Sequence, residues 1–174
     1  MIVDAAIPLI LEHGERVTTR QIADAAGIAE GTIFRAFADK DEVIREVLEK
    51  ALDSAPLEVA LEQIDVHQPL EKCLDAAIAA IQSRVFDTWK LMSAVGPRFH
   101  PEKRTTPQPV SQALTRIFEA HKERLSLKPA EAAKRLRAVT LALTHPMLND
   151  QSMSPKEVAK QFLYGVAVRN DQPC

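Results

Sequence analysis

Between Thr18 and Phe37 the chain reads TTRQIADAAGIAEGTIFRAF, and few folds accommodate that string. Thr18 and Gln21 stand three apart just ahead of an apolar pattern, which is a capping-box start for a short helix. Ile22, Ala23 and Ala26 supply its inner face, and the small Ala23 lets a second helix cross close above it. Gly27 falls where the chain must turn sharply, a position suited to a residue that tolerates positive φ. Ile28 and Ile33 carry the apolar face into a second helix and leave Glu30, Gly31, Thr32 and Arg35 pointing outward. Helix, glycine turn and helix with polar tips is the helix-turn-helix unit, whose second helix fits a DNA major groove. The bland alternative is two packed helices that merely share a glycine corner.

The flanks favour the first reading. Downstream, Phe34-Arg35-Ala36-Phe37-Ala38-Asp39-Lys40 leads into a helical run with Val43, Ile44, Val47 and Leu48 on one side. Upstream, an apolar segment closes in Glu12-His13-Gly14. Thr19, Ile22-Ala23, Ala26-Gly27-Ile28, Gly31-Thr32 and Phe37-x-x-Lys40 complete a pattern over about Ile2 to Leu48. On these residues the chain resembles the N-terminal domain of the tetracycline-repressor (TetR) family of bacterial transcription regulators. The resemblance implies three N-terminal helices for double-stranded DNA, a divergent helical domain for an effector, and a homodimer. It divides the chain into a DNA-binding domain, 1–48, and an effector-binding and dimerisation domain, 49–174.

Carried onto this sequence, the candidate DNA contacts are Thr18, Thr19, Arg20, Glu30, Gly31, Thr32, Phe34, Arg35 and Lys40. Three positions depart from expectation. Phe34 stands where the family commonly has tyrosine, so it is read first as packing and only second as contact. Ala29 replaces the serine or threonine often found before the recognition helix, forfeiting an N-cap worth roughly 1 kcal/mol. Glu30 in the first turn partly compensates through the helix dipole; it is placed either to accept from a cytosine amine or to repel phosphate. Pro8 removes a backbone donor inside the first helix, so that helix is expected to kink or to begin nearer Asp4.

Charge at first argues against nucleic acid. The net charge is −2, and residues 1–50 hold six Lys/Arg against ten Asp/Glu. Position answers part of the objection: Arg16, Arg20, Arg35 and Lys40 cluster around the proposed docking surface, and a dimer doubles them. With few phosphate contacts per subunit, binding should be modest and sensitive to salt. Two distant cysteines, Cys73 and Cys174, form no disulfide or zinc pattern, which points to a reducing, cytoplasmic setting. No apolar stretch is long enough to span a bilayer.

Beyond Leu52 the pattern is helical, giving an all-α chain of about nine helices. Leu70, Cys73, Leu74, Ala77, Ile78 and Ile81 recur at helical spacing behind Pro69, and a shorter apolar segment follows around Phe86, Trp89 and Met92. Gly96 to Pro109, with four prolines, reads as a polar loop and a mobile entrance with Arg98 at its rim. Ser154-Pro155-Lys156-Glu157 is a capping box with proline at the first helical position. An apolar or aromatic effector is expected beside Trp89, among Ile78, Phe86, Trp89, Met92, Phe99, Phe118, Leu141 and His145. Plain core is the rival reading for each of these, and a helix-end role the stronger one for His145. The faces Leu136, Val139, Leu143 and Val158, Phe162, Gly165, Val166 are the expected dimer interface, with core packing claiming about half.

His13, His67, His100 and His121 show no metal-ligand spacing, and neither a cofactor nor a catalytic site is expected: no nucleophile elbow, phosphate-cradling loop or carboxylate pair is present. The sequence therefore implies a ligand-responsive repressor that binds a palindromic operator as a dimer and is released by a small apolar effector. A helical interaction module that has lost DNA binding is the alternative.

Overall fold

A computed structural model describes residues 1–99, 109–151 and 153–165. Among them are nine α-helices and no strand: α1 (Ile2–His13), α2 (Thr19–Ala26), α3 (Glu30–Ala36), α4 (Lys40–Leu52), α5 (Ala55–Glu62), α6 (Leu70–Ala94), α7 (Gln112–Ala120), α8 (Pro129–Thr144) and α9 (Pro155–Tyr164). The all-α architecture expected from the residue pattern is thus observed. Most of the proline-rich segment, with His100, Val166 and Cys174, lies outside the described residues.

Packing groups the chain into two compact units, one of Met1–Ser54 with Phe86–Pro107, the other of Ala55–Val85 with Gln108–Cys174. The first unit therefore takes in residues beyond the 1–48 stretch. α1 packs on α2 and α4, and α2 on α3. Its core joins Ala6 and Ile10 of α1, Ile22 and Ala23 of α2, Ile33 of α3 and Val43, Ile44, Val47 and Leu48 of α4, with Leu91, Val95 and Phe99 from the later segment. α1 starts at Ile2 and runs through Pro8, whose ring is exposed. The alternative start near Asp4 is thereby corrected. A proline on the solvent side loses one backbone bond without disturbing the buried Ala6–Ile10 stripe.

The second unit is centred on Leu70, Leu74, Ile78 and Ile81 of α6, packed with Leu114, Ile117 and Phe118 of α7, Leu136 of α8 and Val158 of α9. α5 carries no sequence motif of its own; eight residues with weak amphipathicity leave one buried side chain, Leu61. Glu58 on α5 accepts from the Ala113 N–H at 3.3 Å, satisfying one of the open donors at the α7 N-terminus. The sequence also divided Leu70–Ala94 in two, whereas α6 is one helix of 25 residues. Buried Gln82 donates to Thr144 Oγ1 at 3.2 Å and to the Met153 carbonyl at 2.7 Å, fixing the end of α8 and the approach to α9. Arg124, in the 3-10 turn after α7, forks onto Glu71 at 2.5 and 3.1 Å.

That fork holds the Glu71 carboxyl at about 2, below its ordinary 4.5, chiefly through the Arg124 hydrogen bond. A depressed folded-state value means stabilisation that is present above the ordinary pKa and lost as pH falls toward 2. Because the pair is exposed, the effect is small. Glu71→Gln should lower the urea midpoint at pH 7 and lower it clearly less at pH 2.5; an equal loss at both pH values would assign the stabilisation elsewhere.

Candidate nucleic-acid interface

The helix-turn-helix is built largely as its sequence dictates. Thr18 is the N-cap of α2: its Oγ1 accepts from the Gln21 N–H at 3.2 Å, and Gln21 Oε1 accepts from the Thr18 N–H at 2.8 Å. Thr18 also donates its hydroxyl to Gln21 at 2.9 Å, so its side chain is committed to the cap. Gly27 ends α2 in the left-handed conformation, φ 66°, with its N–H on the Ala23 and Asp24 carbonyls. A Cβ there meets nothing within 4 Å, so glycine is required by the dihedral and not by crowding. Gly27→Ala should cost roughly 1–2 kcal/mol from the left-handed strain alone, and Gly27→Asn less, since asparagine tolerates that region. Urea denaturation that ranks alanine at or above asparagine would contradict this.

α3 begins at Glu30 behind Ala29, whose methyl makes no cap hydrogen bond. What holds its first turn to α2 is a side-chain bond: Thr19 Oγ1 donates to Glu30 Oε1 at 2.5 Å. Two of the candidate contacts are therefore tied to each other. Ile33 is the one buried residue of α3, while Ile28 and Phe37 pack partly against the same core. Gly31, Thr32, Phe34 and Arg35 are exposed, as are Arg16 and Arg20. Phe34 corrects the first reading of that position: it is 54 % exposed and does not pack inward. At 100° per residue, Phe34 turns off the line that Ile33 directs into the core, leaving an aromatic ring among polar neighbours on the outer face.

Lys40 opens α4, where Asp39 is the N-cap and accepts from the Glu42 N–H at 2.8 Å. The Lys40 ammonium donates to the Glu15 backbone carbonyl at 2.5 Å, using one of its three donors to join α4 to the turn after α1. Arg98, expected at the rim of a ligand entrance, instead pairs with Glu15 at 3.2 Å and with Asp41 at 3.0 Å. The pairing of Arg98 with Glu15 and Asp41 is not legible in the sequence because 83 and 57 residues separate the partners, and no local pattern announces such a contact.

The expected effector residues fall in both units. Ile78 and Phe118 are fully buried core of the second unit, and Phe99 is buried core of the first. Met92 packs partly against the first core, and Phe86 and Trp89 are half-buried in the same unit. His145 caps the C-terminus of α8, and its Nδ1 accepts from the Met147 N–H at 3.3 Å. Leu141 is 45 % exposed and lines a groove of about 300 Å³ beside Val110 and Ala138. A larger cavity of about 470 Å³ lies in the second unit, lined by Leu125, Leu127, Val139, Leu143, Gln161 and Phe162.

Of the dimer candidates, Leu136 and Val158 are fully buried in the subunit's own core. Val139, Leu143 and Phe162 are partly buried, and the Phe162 ring stands 6.0 Å from that of Phe118. Gly165 is corrected from a helix-face residue to the C-cap of α9, at φ 70°, where it ends the helix. Among the described residues no helix is long and apolar enough to cross a membrane, and no group of three His, Cys, Asp or Glu is placed to hold a metal ion.

Comparison with known proteins bears directly on the first unit. Residues 2–47 match the family described as bacterial regulatory proteins, tetR family. The chain is 34 % identical over 86 residues to the HTH-type transcriptional repressor KstR2 of Rhodococcus jostii, covering 47 % of this chain and 42 % of that protein. It is 42 % identical over 53 residues to KstR2 of Mycobacterium tuberculosis, covering 30 % of this chain and 26 % of that one. The chain thus matches less than half the length of these relatives. A transcriptional regulator from Rhodococcus sp. Rha1 shares the fold at TM-score 0.56 and 20 % identity, over 93 % of this chain and 89 % of that one. SmeT, the repressor of a Stenotrophomonas maltophilia multidrug efflux pump, does so at TM-score 0.52 and 24 % identity, over 93 % and 84 %. Over residues 2–47, with its capped α2, left-handed Gly27 and outward-facing α3, the chain is similar to the tetR family of bacterial regulatory proteins.

Proposed function

We propose that the chain is a cytoplasmic transcriptional repressor that binds a palindromic operator as a homodimer and is released by a small apolar effector. The observation that carries the DNA part is the outer face of α3, where Gly31, Thr32, Phe34 and Arg35 stand exposed on a helix anchored by Ile33. A helix so presented has the dimensions of a major-groove reader, with Lys40 and Arg20 beside it for phosphates. The KstR2 proteins, which are repressors by name, are similar to part of this chain. Nothing in this reading calls for catalysis, a cofactor or a metal. Selection from random DNA tests it: a repressor enriches a short palindrome, whereas an interaction module without DNA binding enriches nothing.

Two side chains separate positioning from recognition. Lys40→Ala should weaken binding to all duplexes and flatten the salt slope by about one unit, as expected for a phosphate contact. Phe34→Tyr restores a hydroxyl on an exposed ring and should tighten operator binding about two- to tenfold, the worth of one added hydrogen bond, without moving the unfolding midpoint. An unchanged slope in the first variant, or unchanged affinity in the second, would remove that residue from the contact set.

The dimer is supported by apolar side chains that the second unit leaves in solvent: Leu141 at 45 %, Met147 at 73 %, Leu148 at 68 % and Tyr164 at 50 % exposure. An isologous contact would cover them on both copies. Leu148→Glu is the clean test, because Phe162 also packs on Phe118 and a charge there would damage the core. The variant should sediment as a folded monomer where the unmodified chain is a dimer; a monomeric unmodified chain at micromolar concentration refutes the arrangement. The effector is supported by the cavity lined by Leu125, Leu127, Val139, Leu143 and Phe162, whose volume of about 470 Å³ suits a small molecule. Ligand and operator would be linked by a coupling of roughly 1–3 kcal/mol.

A further inference from the structure

The acidic balance of residues 1–50, six cations against ten anions, leaves an electrostatic difficulty at the docking surface. Two of the acids flank Lys40: Glu15, whose backbone carbonyl receives the Lys40 ammonium at 2.5 Å, and Asp41, the next residue on α4. Unpaired carboxylates this close to a phosphate contact repel DNA, since little screening intervenes within a Debye length of about 10 Å. Arg98 meets both. Its Nε and Nη2 each lie 3.2 Å from Glu15 Oε2, and its Nη1 lies 3.0 Å from Asp41 Oδ2. The guanidinium also stacks 4.3 Å over the ring centroid of Phe99, which is 4 % exposed and anchored in the first core.

The backbone is fitted to bring Arg98 there. Glu15 Oε1 accepts the Gly96 N–H, so both oxygens of one carboxylate are taken by the same short segment. Gly14, at φ 59°, lies against the Ala94 carbonyl so closely that a Cβ would come within 2.4 Å of it. One segment, 94–99, is therefore seated on the turn that also receives Lys40, all inside the first unit.

Resting on the DNA-binding reading, we propose that Arg98 is a positioning residue for operator binding: it pairs with both Glu15 and Asp41, offsets part of their negative charge and so lowers the repulsion of DNA beside Lys40. Arg98 itself touches no phosphate in this scheme. The distinction is measurable by a double-mutant cycle.

The full chain is titrated with the best duplex recovered from random-DNA selection, at temperatures well below each variant's unfolding midpoint. Arg98→Ala should weaken binding about tenfold, within the range for coupled charge networks, and Arg98→Lys should recover most of that loss. In a Glu15→Gln, Asp41→Asn background, Arg98→Ala should cost less than about twofold. An equal loss in both backgrounds would overturn the assignment and make Arg98 a direct phosphate contact. No loss in the unmodified background would overturn it outright. Failure of Arg98→Lys to recover affinity would leave only a stacking role on Phe99. If the unmodified chain enriches no duplex, the DNA reading fails and this assignment with it; if only the cycle fails, the DNA reading stands.

Discussion

Ile33 is the one side chain of α3 that is fully removed from water, and the proposed interface depends on it. A seven-residue helix has no independent stability, because nucleation is costly and few hydrogen bonds repay it. Its orientation is set by one isoleucine in the core, the left-handed turn at Gly27 and the Thr19–Glu30 bond. Truncating a buried isoleucine costs roughly 2–5 kcal/mol, a large share of the stability of a small domain. The same economy explains why so much of α3 faces outward. With one residue spent on packing, Gly31, Thr32, Phe34 and Arg35 are available for contact.

The first unit is not a continuous stretch of chain. α1 to α4 supply most of its core, but Leu91, Val95 and Phe99 complete it from more than 40 residues downstream of α4's first core residues. Thr88 Oγ1 donates to the Ala51 carbonyl at 3.0 Å, and Lys50 pairs with Asp4 across α4 and α1. That Lys50 hydrogen bond draws the Asp4 carboxyl below its usual range. Polar ties of this kind add modestly to stability. Their larger effect is to fix which segments lie side by side, and so which charges neighbour Lys40.

The second unit shows how apolar pattern and location can diverge. Trp89 shares a helix with Ile78, yet the two residues belong to different units. A stripe of aromatic residues at helical spacing specifies a buried face and leaves open what buries it. Leu125, Leu127, Val139, Leu143 and Phe162 come from three separate segments to line the larger cavity, a convergence that no single periodicity contains.

Several features were determined by the sequence alone, because each is encoded within a few residues. The capping boxes at Thr18–Gln21 and Ser154–Glu157 form as their spacing requires. Gly27 adopts positive φ, and the apolar pattern of α4 becomes its buried face. Side chains three or four residues apart must meet on a helix, whatever surrounds it. Tertiary structure decided the rest. The exposure of Phe34, the role of Gly165 as a cap and the pairing of Arg98 with Glu15 and Asp41 depend on how helices lie against one another. Those relations join residues 57 and 83 positions apart, and packing sets them where local spacing cannot.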